Sequence, residues 1–251
     1  MSLFDAFKKS AAPTESLGSL FSDMHSHLIP GIDDGVKDLE ESIRLIRGLV
    51  GLGYKKIITT PHVNGDVFPN TPAIIRAGEA VVVEELRRLN IGVEFRAAAE
   101  HLIDDHFTAA LAAGEPFLTL KDNLILVELS FAVPAINLKE VVFNLQLKGY
   151  QPVLAHPERY LYFGANKAWY DVLRDAGCLF QLNLLSFVGH YGKEAQQLAA
   201  YLVKKGYLDL LGTDLHHEGH LKMLGSGRLS DVVSRLMDTG LVRNAQLLGD
   251  A

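Results

Sequence analysis

The chain is short of several things, and each shortage removes a class of protein. Its 251 residues include one cysteine, Cys178, so no disulfide can form within the chain and a cytoplasmic setting is expected. Basic residues are outnumbered, with 24 Lys and Arg against 30 Asp and Glu and a net charge of -6. A protein that binds nucleic acid by neutralising phosphates needs the opposite balance, so no nucleic-acid partner is expected. Long apolar runs are also missing. The best candidate, LILVELSFAVPAI, is interrupted by Glu128, and no membrane span is expected. No G-x-G-x-x-G or Walker-type loop occurs, which removes support for a nucleotide cradle. The opening MSLFDAFKKSAAPTES lacks the apolar core of a secretory signal. What is present is 48% hydrophobic, enough for one large core, and a single domain over residues 21–251 is expected. Residues 1–20 read as an N-terminal tail, partly ordered or docked on that domain. Leu3, Phe4 and Phe7 before Lys8 and Lys9 make one amphipathic turn, too little for firm membrane-surface binding.

Short apolar segments that end in ionisable clusters alternate with segments of helical period. LFSDMHSH ends at His27, KKIITTPH at His62, and VEFRAAAEH at Glu100 and His101. NLILVELS contains Glu128, QPVLAHPERY contains His156, CLFQLNLLS contains Asn183 and Ser186, and LDLLGTDLHH closes with Asp214 and His216. Between His25, His62, Glu100, Glu128, His156, Asn183 and Asp214 the intervals are 37, 38, 28, 28, 27 and 31 residues. Each interval holds a strand and a crossover helix. The spacing of apolar residues predicts helices over 37–52, 73–89, 138–148 and 194–205, closed near Gly53, Asn90, Gly149 and Gly206. Such units build a parallel sheet with right-handed crossovers. An open sheet gathers ligands at one switch point, whereas here nearly every strand ends in a polar residue. That favours an α/β barrel of seven units whose strands deliver side chains to one rim.

The candidates at that rim are His25, His27, Asp34, His62, Glu100, Glu128, His156, Asp214 and His216. A single histidine near a strand end is more often structural than functional. A glutamate inside an apolar strand is harder to dismiss, because burying an unpaired carboxylate is costly. Five imidazoles and four carboxylates brought together leave several carboxylates repelling one another, and divalent cations relieve that repulsion. At four to five ligands per ion, two or three ions are expected. Imidazole with carboxylate and no thiolate suits borderline and hard divalent metals.

H-S-H near the start, the D-D-G loop ending at Gly35, P-H at His62, A-E-H at Glu100, H-P-E-R-Y at His156 and G-T-D-L-H at Asp214 together resemble the PHP (polymerase and histidinol phosphatase) superfamily. DMHSHLIPGIDDG with LAHPERY and QLNLLSFVGHYG resembles, more closely, the bacterial protein-tyrosine phosphatases of the capsular and exopolysaccharide (CpsB/CapC) type. The resemblance spans roughly Asp23 to Lys222. It implies a distorted seven-unit barrel with divalent ions, manganese foremost and iron, cobalt, zinc or magnesium as alternatives. It assigns one ion to His25, His27, Glu100 and Asp214, a second to Glu100, Glu128 and His156, and a third to Asp34, His62 and His216. The implied reaction is hydrolysis of phosphotyrosine by a metal-bridging hydroxide, on a membrane-associated bacterial tyrosine kinase that controls polysaccharide synthesis. Arg159, three residues past His156, is the candidate phosphate clamp, since its planar fork matches phosphate geometry; the plain alternative is a surface ion pair with Glu158. The sequence departs from the family after D-L-H, where members have an Asn and a further Arg. His217, His220 or Lys222 stands in that loop as a substitute contact. The loop VNGDVFPNTP after His62 also lacks basic residues.

Two other readings compete with this one. One keeps the chemistry and changes the substrate to a small phosphate monoester such as histidinol phosphate. The other makes the chain a non-catalytic barrel acting as a binding module. Cysteine-based phosphatase chemistry needs an arginine after five intervening residues, and counting from Cys178 that position is Leu184. Cys178 therefore reads as a core thiol. Asp33 reads as a shaper of the turn before Gly35, and His101, His106 and His190 as supporting or structural.

Overall fold

The computed structural model describes residues 17–135 and 137–249; of the expected tail over 1–20, residues 1–16 lie outside the described residues. Residues Leu17–Leu20 form a 3₁₀ turn whose two leucines are buried. Seven parallel strand lines follow, as the seven apolar segments predict. The first begins with β1 (Ser22–Asp23) and runs on towards His27. The second is split into β2 (Lys56–Thr59) and β3 (His62–Val63), and the third into β4 (Glu94–Ala97) and β5 (Glu100–Leu102). Then come β6 (Leu124–Glu128), β7 (Gln151–Ala155), β8 (Leu179–Asn183) and β9 (Leu210–Gly212).

Pairing runs β1-β2-β4 and β3-β5-β6-β7-β8-β9, parallel throughout. The last line returns to the first. Ser26 pairs in parallel with Leu215, Asp214 N–H donates to the His25 carbonyl at 2.8 Å, and His27 N–H donates to the Leu215 carbonyl at 2.9 Å. The sheet thus curls into a distorted barrel.

Alternation along the strands sorts side chains between the two faces. Ile58, Ala98, Leu126, Val153, Ala155 and Leu210 form one buried cluster inside, together with Met24 and Leu248. Their strand neighbours Ile57, Ile125, Val127, Leu154, Phe180 and Leu211 belong to the larger core under the helices. Leu248 comes from α10 (Asn244–Leu248), which closes the far end of the barrel. There the Asn244 side chain accepts from Leu211 N–H at 2.9 Å and donates to the Leu211 carbonyl at 2.7 Å.

The four predicted helices occur as α1 (Leu39–Gly51), α2 (Pro72–Arg88), α4 (Leu138–Leu147) and α7 (Gly192–Lys204). The Asp38 carboxylate caps α1 by accepting from Glu41 N–H at 2.8 Å. Gly53 (φ 101°) and Asn90 (φ 52°) follow α1 and α2 in the left-handed conformation that ends a helix. The helices not predicted from the sequence are mostly shorter: α3 (Asp105–Ala113), α5 (Leu161–Ala165), α6 (Ala168–Asp175), α8 (Glu218–Leu224) and α9 (Gly227–Asp238); α6 and α9 do bury one apolar face, Tyr170 with Leu173 and Leu229 with Val232, Val233 and Leu236. Among the described residues, no helix is long and apolar enough to cross a membrane.

Candidate metal centre

The inner face changes character at the rim. Two residues past Ala98 stands Glu100, two past Leu126 stands Glu128, and two past Gly212 stands Asp214. The same parity that packs aliphatic side chains inside therefore delivers carboxylates at the mouth, and all nine rim candidates converge there. Glu100 is central. Its Oε2 lies 3.1 Å from His25 Nε2, 3.5 Å from His27 Nε2 and 3.2 Å from His62 Nδ1, while Oε1 lies 2.9 Å from His156 Nε2. Asp214 Oδ1 stands 3.6 Å from both His25 Nε2 and His27 Nε2 and 3.4 Å from His216 Nδ1. Asp34 Oδ1 is 3.5 Å from His62 Nε2 and 3.4 Å from His216 Nε2. Glu128 Oε1 meets His62 Nδ1 at 2.9 Å.

Among the described residues, three sets of potential ligand atoms lie close enough together to hold an ion: His25, His27 and Glu100; His62, Glu100 and Glu128; and His27, Asp34, His62 and His216. His62 belongs to two of them, with one ring nitrogen turned to each, whereas the family pattern gives it a single ion.

The donor set fits a cation because proton positions are constrained from behind. The Gln181 amide donates to Asn183 Oδ1 at 2.9 Å, so its oxygen must accept from His25 Nδ1–H at 2.8 Å. Asp33 Oδ2 likewise accepts from His27 Nδ1–H at 2.8 Å. Both histidines then aim Nε2 lone pairs at a carboxylate. His25 Nε2, His27 Nε2 and Glu100 Oε2 are all buried without a hydrogen-bond partner. Acceptor facing acceptor in a buried site repels unless a cation lies between.

Protons compete for that place. Burial opposes charge on His25, yet Glu100 and Asp214 push its pKa up to about 9. Burial opposes charge on His62 too, and Glu100 and Glu128 push it up to about 10. Burial and the Glu100 charge push Glu128 up to about 7. Burial and His216 push His27 down to about 4. Glu100 stays well below the usual carboxylate range despite its burial, because His25 and His62 offset the desolvation.

The orienting residues Gln181 and Asn183 were not among the sequence candidates for the site, although a signal existed. In L-F-Q-L-N two amides share one strand face inside an apolar segment, the same anomaly that singled out Glu128. Asp33 does shape the turn, accepting from Gly35 N–H at 3.0 Å, and it also fixes His27. Asp214 Oδ2 is held by Asn183 Nδ2 at 2.6 Å, Arg159 Nη1 at 2.8 Å and the Tyr191 hydroxyl at 3.2 Å, which leaves Oδ1 for the histidines.

Arg159 does not form the surface pair with Glu158. The Glu158 carboxylate is turned inward, where it accepts from Asn183 N–H at 2.9 Å and Ser186 Oγ–H at 2.6 Å. The Arg159 guanidinium is stacked between the rings of Phe131 (4.5 Å) and Tyr191 (4.2 Å). Phe131 carries no local sequence signal and Tyr191 enters only as part of the QLNLLSFVGHYG motif, because only the fold brings their loops beside Arg159. Together with Asp34, His62, Glu128, His156, Asp214 and His216 they wall an open cavity of about 360 Å³. His25, His27 and Glu100 form its sealed floor.

His217 and His220 also line this cavity. His217 Nδ1 accepts from Gly219 N–H at 3.1 Å, and His220 Nε2 meets His190 Nε2 at 3.2 Å. Lys222 pairs with Glu218 at 3.5 Å and is not among the lining residues. His106 is exposed on α3, and His101 points away from the barrel interior. Cys178 is buried, and burial pushes its thiol up to about 12.

The site stores backbone strain. His156 (φ 34°) and Asp214 (φ 52°) are left-handed without being glycine or asparagine, a conformation that persists only where surrounding contacts enforce it. A Cβ on Gly212 would stand 2.7 Å from His25 Cβ and 2.8 Å from Gln181 Nε2. Gly212→Ala is therefore expected to destabilise the fold by about 1–3 kcal/mol. Thermal unfolding would register this as a Tm lower by several degrees.

A match to the family described as capsular polysaccharide synthesis, CpsB/CapC, covers residues 21–226. The tyrosine-protein phosphatase YwqE of Bacillus subtilis is 32% identical over 196 residues, covering 78% of this chain and 77% of that protein. The tyrosine-protein phosphatase CpsB of Streptococcus pneumoniae is 26% identical, covering 78% and 82%. A structure reported among those of YwqE and CpsB, described as unique metal-dependent tyrosine phosphatases, superposes with a TM-score of 0.75 at 28% identity over 92% of this chain and 95% of that one. The lactonase Lmo2620 of Listeria monocytogenes shares the fold at a TM-score of 0.55 and 14% identity, covering 91% and 90%. With the family match running through every strand line that supplies a rim candidate, this chain belongs to the CpsB/CapC family.

Proposed function

We propose that this chain is a metal-dependent protein-tyrosine phosphatase that acts on a phosphotyrosine protein, a bacterial tyrosine kinase of polysaccharide synthesis. The observation that carries the reading is the sealed floor, where two orphaned imidazole nitrogens face an orphaned carboxylate oxygen beneath an open cavity walled by Arg159. His25, His27, Glu100 and Asp214 would hold one ion. Glu100, Glu128 and His156 would hold a second, and Asp34, His62 and His216 a third, with His62 also turned towards the second. Two or three divalent ions, manganese foremost, are the expected complement. When bound, they supply positive charge to the phosphoryl oxygens and activate a water as nucleophile.

The chain's own residues do the rest. Gln181 and Asp33 keep the Nε2 lone pairs of His25 and His27 free. Arg159, stacked and held at one end by Asp214, presents its remaining N–H donors to an equatorial phosphoryl oxygen. The half-exposed Phe131 ring beside it offers an apolar face to the substrate phenyl group. The tyrosine phenolate, with a free pKa of about 10, leaves with little help from an acid.

Purified protein supplied with manganese is expected to release phosphate from a phosphotyrosine peptide and to stop when a chelator is added. A kcat/KM higher for histidinol phosphate than for the peptide would transfer the reading to small monoesters, and metal-independent hydrolysis would sink it. Cys178→Ala is expected to keep kcat within about two-fold, since a buried thiol with a raised pKa is no nucleophile. A loss of tenfold or more in initial-rate assays would return cysteine chemistry to consideration.

A further inference from the structure

Beside the cavity over the metal centre lies a smaller one, of about 190 Å³, and the two share a wall. Phe131, Arg159 and Tyr191 line both. The other residues lining the small cavity are Leu161 and Ala195. Leu161 opens α5 and Ala195 lies near the start of α7, and the two helices approach closely. A Cβ on Gly164 would stand 3.3 Å from Glu194 Oε1 and 3.6 Å from Leu198 Cδ1. The start of α5 is also tied to the segment that bears Phe131. The Tyr162 hydroxyl donates to the Ser130 carbonyl at 3.0 Å, and the Tyr160 hydroxyl accepts from Leu129 N–H at 2.9 Å. The walls are therefore held in place before anything binds, which lowers the ordering cost of binding.

Size and chemistry limit the occupant. Small-molecule sites run from about 300 Å³ upwards, and this cavity has room for one aliphatic side chain. Leu161 is 43% exposed and Phe131 49%, so two large apolar groups lining one cavity are left in water. Arg159 is the one charged residue in the wall. Its Nη1 donates to Asp214 Oδ2 at 2.8 Å, and its remaining donors belong to the phosphoryl group in the proposed reaction. An acidic occupant finds no free partner there, and a basic one is repelled by the guanidinium. Continuity supplies the rest. A phosphotyrosine with its phosphate on Arg159 and its ring on Phe131 brings its backbone to the place where the cavities adjoin. Consecutive Cα atoms lie about 3.8 Å apart, which puts a side chain of the adjacent residue within reach of the small cavity.

We propose that this cavity is a specificity subsite, which receives an uncharged aliphatic side chain of leucine size from a residue adjacent to the phosphotyrosine. The proposal rests on the phosphotyrosine-protein reading of the metal centre.

The test uses the full chain supplied with manganese and two series of phosphotyrosine peptides. Within each series only one residue changes, immediately before or immediately after the phosphotyrosine, and it is Leu, Ser, Asp or Lys. In one of the two series, Leu is expected to give a kcat/KM about tenfold above the other three. Leu161→Ser, at a half-exposed position outside the metal centre, is expected to bring the Leu peptide down to the level of the Ser peptide. The same variant is expected to keep kcat/KM for p-nitrophenyl phosphate, which has no neighbouring residue, within about two-fold. Equal rates for Leu and Ser in both series, a preference for Asp or Lys, or an undiminished Leu preference in the folded variant would each overturn the proposal and leave the phosphatase reading standing. Hydrolysis of p-nitrophenyl phosphate without hydrolysis of any peptide would overturn the protein-substrate reading, and the subsite with it.

Discussion

Glu100→Gln is expected to lower kcat by about 10³-fold or more, the loss of roughly 4 kcal/mol of transition-state stabilisation. The substitution keeps the shape of the side chain and removes the charge on which the site converges. Glu100 is the one carboxylate within reach of four imidazoles, those of His25, His27, His62 and His156. An amide in its place offers one oxygen instead of two and turns an N–H₂ towards nitrogens that need a cation. Bound metal, measured by elemental analysis of the protein as isolated, is expected to fall together with kcat. The chain should still fold, because Glu100 is surrounded by polar groups and not by the aliphatic cluster below, and the melting transition tests that. A variant with full metal content and full activity would remove Glu100 from the centre of the site.

Arg159→Ala is expected to cost about 10²–10³-fold in kcat, the range seen when one preorganised donor to a developing charge is removed. Here kcat and metal content should separate. Asn183 Nδ2 and the Tyr191 hydroxyl still donate to Asp214 Oδ2 at 2.6 and 3.2 Å, so the Asp214 carboxylate keeps its orientation and the metal should remain. Arg159→Lys restores the charge without the planar fork or the stack between Phe131 and Tyr191, and recovers only part of the rate. If metal is lost with the arginine, then Arg159 serves mainly to hold Asp214, and the phosphate contact passes to His217 or His220 on the same cavity wall.

The convergence of these side chains was legible along the chain because the candidate ligands follow a local rule. A strand period of two places Glu100 beyond Ala98 and Glu128 beyond Leu126, so aliphatic residues inside the barrel and candidate ligands at its mouth lie on one line of sight. The same rule, applied to L-F-Q-L-N, could have brought Gln181 and Asn183 into the site. The short helices α5, α8 and α10 were not legible, since a helix of five to seven residues makes too few turns for a period to show. Arg159 was found by its motif, but its partner was not. Glu158 is adjacent in sequence and turns inward, while Asp214 is 55 positions away and only closure of the barrel brings it near.

The sequence by itself determined the seven βα units, the parallel sheet, the nine candidate ligands and the absence of a usable cysteine, because strand and helix periods and ionisable groups are properties of neighbouring residues. The tertiary structure alone decided which atoms meet. It paired Gln181 with His25 and Asp33 with His27, and so freed their Nε2 lone pairs. It turned the two nitrogens of His62 to different carboxylates and placed Arg159 between two rings. Those contacts join residues from different strand lines, and their distances follow from barrel closure, which no local period encodes.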